Sequence, residues 1–261
     1  MTDDPVRLKH RQLEKIAMTA LRMARLLTEC GAPVRVAHQG AGLIVRGLGV
    51  EHVGIRTGYA SQEITLRSGD NTITRMMTVG PHGVNTRLDH ALRALAMRAA
   101  QGGMTAEAVE AGMDRLVKET PRHPLWLVAL AVGLACAAFG RLLGIDWAAF
   151  GPVFLAGTLG QAGRQLLLRR GINACVTAAV IAFGAAALAG FGAHFAGSST
   201  LNLAMMASML LLVPGVPATN AQTDIMEGFP VMGSARAVSV IMVMIFATTG
   251  VWLAELLLGL Q

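Results

Sequence analysis

The sequence predicts an α+β cytoplasmic domain followed by an all-α membrane domain of five transmembrane helices. Three observations carry that reading. Apolar residues make up 53% of the 261 residues, yet residues 1–123 hold 17 Lys or Arg and 12 Asp or Glu, and residues 124–261 hold only five and four. The second part resolves into five apolar stretches, each near the roughly 20 residues that a bilayer-spanning helix needs. The first part alternates between helical and strand periodicity. The boundary falls at the Pro121 and Pro124 hinge, which gives domains of 1–123 and 124–261.

In the first domain, Leu13, Ile16, Ala17, Ala20, Leu21, Ala24 and Leu27 share one helical face, and Gly31 is placed to end that helix. Pro33 suits the first turn of a second helix running towards Gly47. Residues 52–57, 63–66 and 72–79 are β-rich pieces separated by Gly58 and by the turn cluster Ser68-Gly-Asp-Asn71. Two more helices follow, about 85–101 and 105–118, with Thr105 as the cap of the second. An α-α-β-β-β-α-α unit of this length can hold its own small core. The expected spans are 125–143, 147–163, 172–195, 201–217 and 238–260. The second and fourth are short and interrupted by glycine or proline.

Residues 1–15 carry charges but no apolar core of a signal peptide, so the N-terminal domain is expected in the cytoplasm of a bacterium, attached to its inner membrane. Arg115, Lys118 and Arg122 precede the first span, and Arg164, Arg169 and Arg170 lie between the second and third; the turn around Ser198 to Thr200 is uncharged. Positive-inside bias then places the C-terminus outside. The formal charge of +6 therefore reports topology, and no basic stretch is interleaved with aromatics as nucleic-acid binding would require. Cys30, Cys136 and Cys175 form no CxxC pair, the seven histidines are scattered, and no nucleophile–base set assembles. The expectation is a protein that is not an enzyme and uses no metal or cofactor.

The most informative segment is Ser208-Met-Leu-Leu-Leu-Val-Pro-Gly-Val-Pro217, an apolar run broken by Pro214, Gly215 and Pro217 and followed by Asn220 and Asp224. Broken backbone at membrane depth is tolerated where protein buries it or a water-filled cavity receives it, and in transporters it often marks the substrate or ion site. The competing reading is a helix that ends at the membrane surface. Gln161, Arg164, Gln165 and Asn173 border the second and third spans on the expected cytoplasmic side. The candidate substrate- or ion-binding set is therefore Gln161, Arg164, Gln165, Asn173, Pro214, Gly215, Pro217, Asn220 and Asp224. In it Arg164 would attract a carboxylate and Asp224 would carry a proton or bind an amino group. Unwound carbonyls between Val213 and Pro217 would line the path. The alternative for Arg164, with Arg169 and Arg170, is anchoring of topology and lipid headgroups.

Pro124-Leu-Trp-Leu-Val-Ala-Leu-Ala-Val-Gly-Leu-Ala-Cys136 with Phe139, Arg164-Gln-Leu-Leu167, Ile172-Asn-Ala-Cys175 and Ala207-Ser-Met-Leu-Leu-Leu-Val-Pro-Gly-Val-Pro217 with Asn220 and Asp224 resemble the threonine/serine exporter (ThrE) family. So does Gly233 with Ala235-Arg236 at the start of the last span. The resemblance is to the YjjP-like half-length branch and covers nearly the whole chain; Pro81-His-Gly-Val-Asn85 departs from the Arg-Gly-Ile-Asn of the family pattern. It implies a subunit that exports small metabolites, either a C4-dicarboxylate such as succinate or threonine and serine. It also implies a YjjB-like small membrane subunit as partner, because full-length members carry a further membrane domain. Five spans are few for a complete transporter, so a homo-oligomer or that second subunit is implied. A membrane-anchored ligand sensor or regulatory protein is the alternative class.

Overall fold

The computed structural model describes residues 8–50, 52–121 and 123–259. Arg122, ahead of the first expected span, and Leu260, the expected end of the last, lie outside the described residues. Ten α-helices, one 3-10 turn and a single three-stranded sheet are described. They divide into two compact units, one of Met1–Pro121 with Val216–Ala237 and one of Arg122–Gly215 with Val238–Gln261.

In the first unit, α1 (His10–Glu29) and α2 (Val34–Gly47) pack through the apolar faces that their spacing defines. Leu13, Ala17, Ala20, Leu21, Ala24 and Leu27 are fully buried. Gly31 takes a φ of 92° after α1, and a side chain there would stand 2.6 Å from the Gly83 carbonyl oxygen, so both backbone and space require glycine. Strands β1 (His52–Thr57), β2 (Ser61–Ser68) and β3 (Asn71–Thr78) form an antiparallel meander, with Ile55 opposite Ile64 and Leu66 opposite Ile73. Along β2 the side chains alternate, and Gln62, Ile64 and Leu66 face the core. Helices α3 (Thr86–Ala100) and α4 (Ala106–Glu119) begin at capping side chains: Asn85 Oδ1 accepts from Leu88 N–H at 3.1 Å, and Thr105 Oγ1 from Ala108 N–H at 3.3 Å.

The second unit contains α5 (Leu125–Leu143), α6 (Trp147–Arg169), α7 (Ala174–Phe195) and α8 (Leu201–Ser208), which tightens into the 3-10 turn Met209–Leu212. Its core is built from small residues; Ala137, Ala149, Ala182, Ala186, Ala189, Ala204 and Ala207 are fully buried. A Cβ on Gly133 would lie 2.0 Å from Thr158 Oγ1 and 2.5 Å from the Phe154 carbonyl oxygen, so α5 and α6 touch backbone to backbone. Large apolar side chains point outward instead, among them Trp126, Leu134, Leu155, Leu159 and Phe191. Small residues inside and large ones outside suit helices packed in lipid, where van der Waals contact replaces the hydrophobic drive. Asp146 caps α6 through Ala149 N–H at 2.9 Å and also accepts from Ser198 Oγ and Ser199 N–H, both at 2.9 Å.

Helix α9 (Gly215–Met226) is followed by a turn at Gly228, which has a φ of 87°, and α10 (Pro230–Leu258) begins two residues later. Val216–Ala237, which covers nearly all of α9 and the start of α10, groups with the first unit. A Cβ on Gly233 would lie 2.8 Å from the Ala221 carbonyl oxygen, so these two helices pack closely there.

This architecture corrects the expected fold class. Helix predominates and the sheet is a small meander, so the protein is not an α+β domain succeeded by five spanning helices. Nor is the N-terminal part a separate domain, because it incorporates residues from beyond the 3-10 turn. Three described helices are long and apolar enough to cross a membrane: Leu125–Leu143, Ala174–Phe195 and Pro230–Leu258. A fourth span arises only if Leu201–Leu212 and Gly215–Met226 are counted together across their break. The expected span at 147–163 fails for lack of apolarity, not of length. At 1.5 Å per residue α6 reaches about 35 Å, but Pro152, Thr158, Gln161, Arg164, Gln165 and several glycines dilute it. The last helix starts at Pro230, earlier than expected, because proline is accommodated in the first turn, where its missing N–H has no intrahelical role.

Candidate functional site

The break after the 3-10 turn follows from one residue. In an unbroken helix the Leu210 carbonyl would accept from residue 214 and the Leu211 carbonyl from Gly215. Pro214 has no N–H, clashes with the carbonyl four residues back and pushes its predecessor into extended backbone; Val213 has φ −63° and ψ 115°. Leu210 then accepts from Val213 N–H at 3.2 Å, while Gly215 N–H turns to the Val213 carbonyl at 2.9 Å.

The Leu211 carbonyl finds another donor. Arg164 Nη1 lies 2.9 Å from it. One turn earlier on α6, Gly160 makes the approach possible, since a Cβ there would stand 2.9 Å from Leu211 Cδ2. Among the described residues no carboxylate pairs with Arg164, which is partly buried with its charge set against a neutral carbonyl. Gln161 and Gln165 occupy the same side of α6, one turn apart, and the Oε1 atom of each is buried without a hydrogen-bond partner. The Thr177 hydroxyl is also buried and unpartnered, in a residue only 1% exposed. Thr177 lies one turn from Ile181, the α7 residue that meets Gly160 and Gly163. Buried oxygens without donors are uncommon and costly. A guanidinium and two orphaned oxygens thus lie within about one turn of α6, and a third orphaned oxygen lies on α7.

The other expected site residues are placed differently. Asn173 is exposed and caps α7, its Oδ1 accepting from Cys175 N–H at 2.8 Å. Pro214 and Gly215 belong to the second unit, whereas Pro217, Asn220 and Asp224 belong to the first. The break is also shorter than expected. Only Val213 and Pro214 leave helical form, because Pro217 is the third residue of α9, where backbone N–H groups have no intrahelical acceptor anyway.

Asn220 and Asp224 are committed to the turn between α1 and α2. Asn220 Nδ2 donates to the Gly31 carbonyl at 2.6 Å. Asp224 Oδ1 accepts from Val34 N–H at 2.8 Å, and so caps α2, whose own cap residue is Pro33. Asp224 Oδ2 pairs with Arg236 Nη1 at 2.7 Å, and Arg236 Nη2 donates to the Ala32 carbonyl at 3.0 Å. Asp224 is 0% exposed and Arg236 4%. At the rim, Arg35 and Glu227 lie 3.4 Å apart, and His38 meets Phe229 edge to face. Burial lowers the His38 pKa from its ordinary value.

Two residues of consequence, Arg236 and Thr177, stand outside the candidate set expected from the sequence, although Arg236 is part of the family pattern. Arg236 had a signal: it is the only Lys or Arg after Arg170 and follows the acids Asp224 and Glu227, the first by twelve residues. Thr177 had none, since a threonine in an apolar helix usually bonds its own backbone. Among the described residues no group of three or more His, Cys, Asp or Glu could hold a metal ion.

Apolar helices packed on glycine and alanine, with a guanidinium held at a helix break, define a polytopic α-helical membrane protein with polar groups inside its packing. The chain belongs to the ThrE family, described as "Putative threonine/serine exporter", which it matches over residues 18–258. It is similar to the "Probable succinate transporter subunit YjjP" of Escherichia coli (strain K12), 27% identical over 251 residues, covering 96% of this chain and 97% of the relative. It is likewise similar to the protein of that name from Klebsiella aerogenes, 29% identical over 254 residues, covering 95% and 96%. No solved structure matches it. The family and these relatives make it a membrane exporter subunit.

Proposed function

We propose that this chain exports a small carboxylate-bearing metabolite from the cytoplasm as one part of a two-subunit transporter, with Arg164 receiving the carboxylate. The observation that carries the reading is Arg164 itself: a partly buried cation with a neutral carbonyl as its partner, on the same turn of α6 as the unpartnered oxygens of Gln161 and Gln165. A partly buried charge without an opposite charge is costly and therefore characteristically functional. A guanidinium offers five donors in a fork that matches a carboxylate, and one contact to Leu211 leaves most of them free.

The unpartnered amide oxygens of Gln161 and Gln165 add a requirement, because they call for hydrogen-bond donors on the ligand, whereas the Thr177 hydroxyl can donate or accept. A hydroxy amino acid supplies them through its ammonium and hydroxyl groups. Succinate, the substrate in the relatives' name, supplies one as its singly protonated form. Outward movement of one negative charge across 100 mV, inside negative, gains about 2.3 kcal/mol. The monoanion therefore leaves downhill, and a neutral zwitterion needs a coupled ion. The first unit lies on the cytoplasmic side in this reading. Three or four spans are too few to surround a path, which supports a second small membrane subunit of the YjjB-like kind.

The test is Arg164→Gln, with Arg164→Lys beside it, in cells that lack other exporters of succinate and threonine. Loss of a charge-assisted contact worth about 1.5–3 kcal/mol predicts efflux reduced about tenfold or more in the glutamine variant, with normal membrane insertion. Native efflux from that variant would remove Arg164 from the substrate path.

A further inference from the structure

We propose that Pro214 is a positioning residue for Arg164, acting through the Leu211 carbonyl; the inference rests on the reading of Arg164 as the carboxylate site. Continuous helix would give the Leu211 carbonyl to Gly215 N–H. Pro214 prevents this, and Gly215 N–H bonds to Val213 instead. The released carbonyl takes Arg164 Nη1 at 2.9 Å. Arginine is long and flexible, and an unanchored guanidinium loses rotamer freedom when it binds a ligand. Anchored at Nη1, the side chain presents its remaining edge, Nε–H with Nη2–H, in a fixed direction, and that edge is a two-donor fork for a carboxylate.

The neighbourhood is built for this contact. Gly160 admits the Leu211 side chain against α6, since a Cβ there would stand 2.9 Å from Leu211 Cδ2. Gly163 admits Ile181 from α7 at a Cβ distance of 3.0 Å. Leu211 and Leu212 are buried, whereas Val213 next to the break is exposed, so the carbonyl is held in packed structure and not in a loose loop. The proline therefore contributes to recognition by leaving one carbonyl without its helical donor. Lining the path with unwound backbone is not required, because only Val213 and Pro214 leave helical form.

A double-mutant cycle on substrate affinity tests this. Efflux of succinate and of threonine is measured against internal concentration in four proteins: native, Pro214→Ala, Arg164→Gln and the double variant. Alanine restores an N–H at 214 and lets Gly215 N–H return to Leu211. Pro214→Ala alone should raise KM about tenfold with maximal rate preserved. In the Arg164→Gln background the same change should leave KM within about twofold of that single variant, because its target is gone. Independent, multiplying effects on KM would overturn the positioning role while leaving Arg164 as the carboxylate site. An unchanged KM in Arg164→Gln would overturn the site itself. Unchanged KM in Pro214→Ala, with Arg164→Gln still impaired, would also overturn the positioning role.

Discussion

Replacing Arg236 by alanine should lower the stability of the first unit by about 3–5 kcal/mol, the cost of leaving a buried partner charge uncompensated. The loss falls on Asp224, which is 0% exposed and would keep only its contact to Val34 N–H. The Ala32 carbonyl would lose its donor as well. Asp224→Ala should cost a similar amount, since it strands Arg236 and uncaps α2. The apolar pair Asp224→Leu with Arg236→Met should recover part of the stability but not all of it, because Val34 N–H and the Ala32 carbonyl stay unpaired. Thermal unfolding in detergent measures this, with a fall in Tm of about 10 °C expected for a unit of this size. A fall of 2 °C or less in either single variant would mean that water reaches the pair and that it holds nothing together.

The second large effect is all-or-none. Expressed alone in cells without other exporters, the chain should leave internal succinate and threonine at the level of the empty strain. Expressed with a small membrane subunit of the YjjB-like kind, it should lower them several-fold. The described residues contain three helices able to cross a membrane, or four across the break, and a path for a polar solute needs a wall on every side. Strong efflux from the chain alone would show that copies of itself complete the wall.

Local elements were legible in the sequence where local chemistry determines them. The i, i+3, i+4 spacing from Leu13 to Leu27 places α1, and Gly31 ends it at a positive φ. Thr105 caps α4 as expected. The three strands lie where β-branched residues alternate between turns. Misjudgements came from quantities that depend on distant residues. Hydrophobic stretches suggested a span at 147–163, yet the helix formed there extends through Arg164 and Gln165 and is too polar to qualify as one. Asp224 is expected from the sequence to carry a proton or bind an amino group, and its partners Val34 and Arg236 cannot be inferred from spacing; the first lies 190 residues away. Arg164 was visible as an unusual charge, but its tie to Leu211 depends on how α6 packs against the 3-10 turn. The motif around Pro214 marks the break in the sequence, and the break is two residues, Val213 and Pro214, and not the five-residue stretch expected.

The most direct measurement is flux through both subunits reconstituted in liposomes, native against Arg164→Gln, with a carboxylate substrate and with its uncharged amide analogue. The account predicts that the native complex moves succinate or threonine and discriminates strongly against the amide. The glutamine variant should lose most carboxylate flux together with that discrimination. Carboxylate flux at native KM through the variant, with the amide still rejected, would contradict the account.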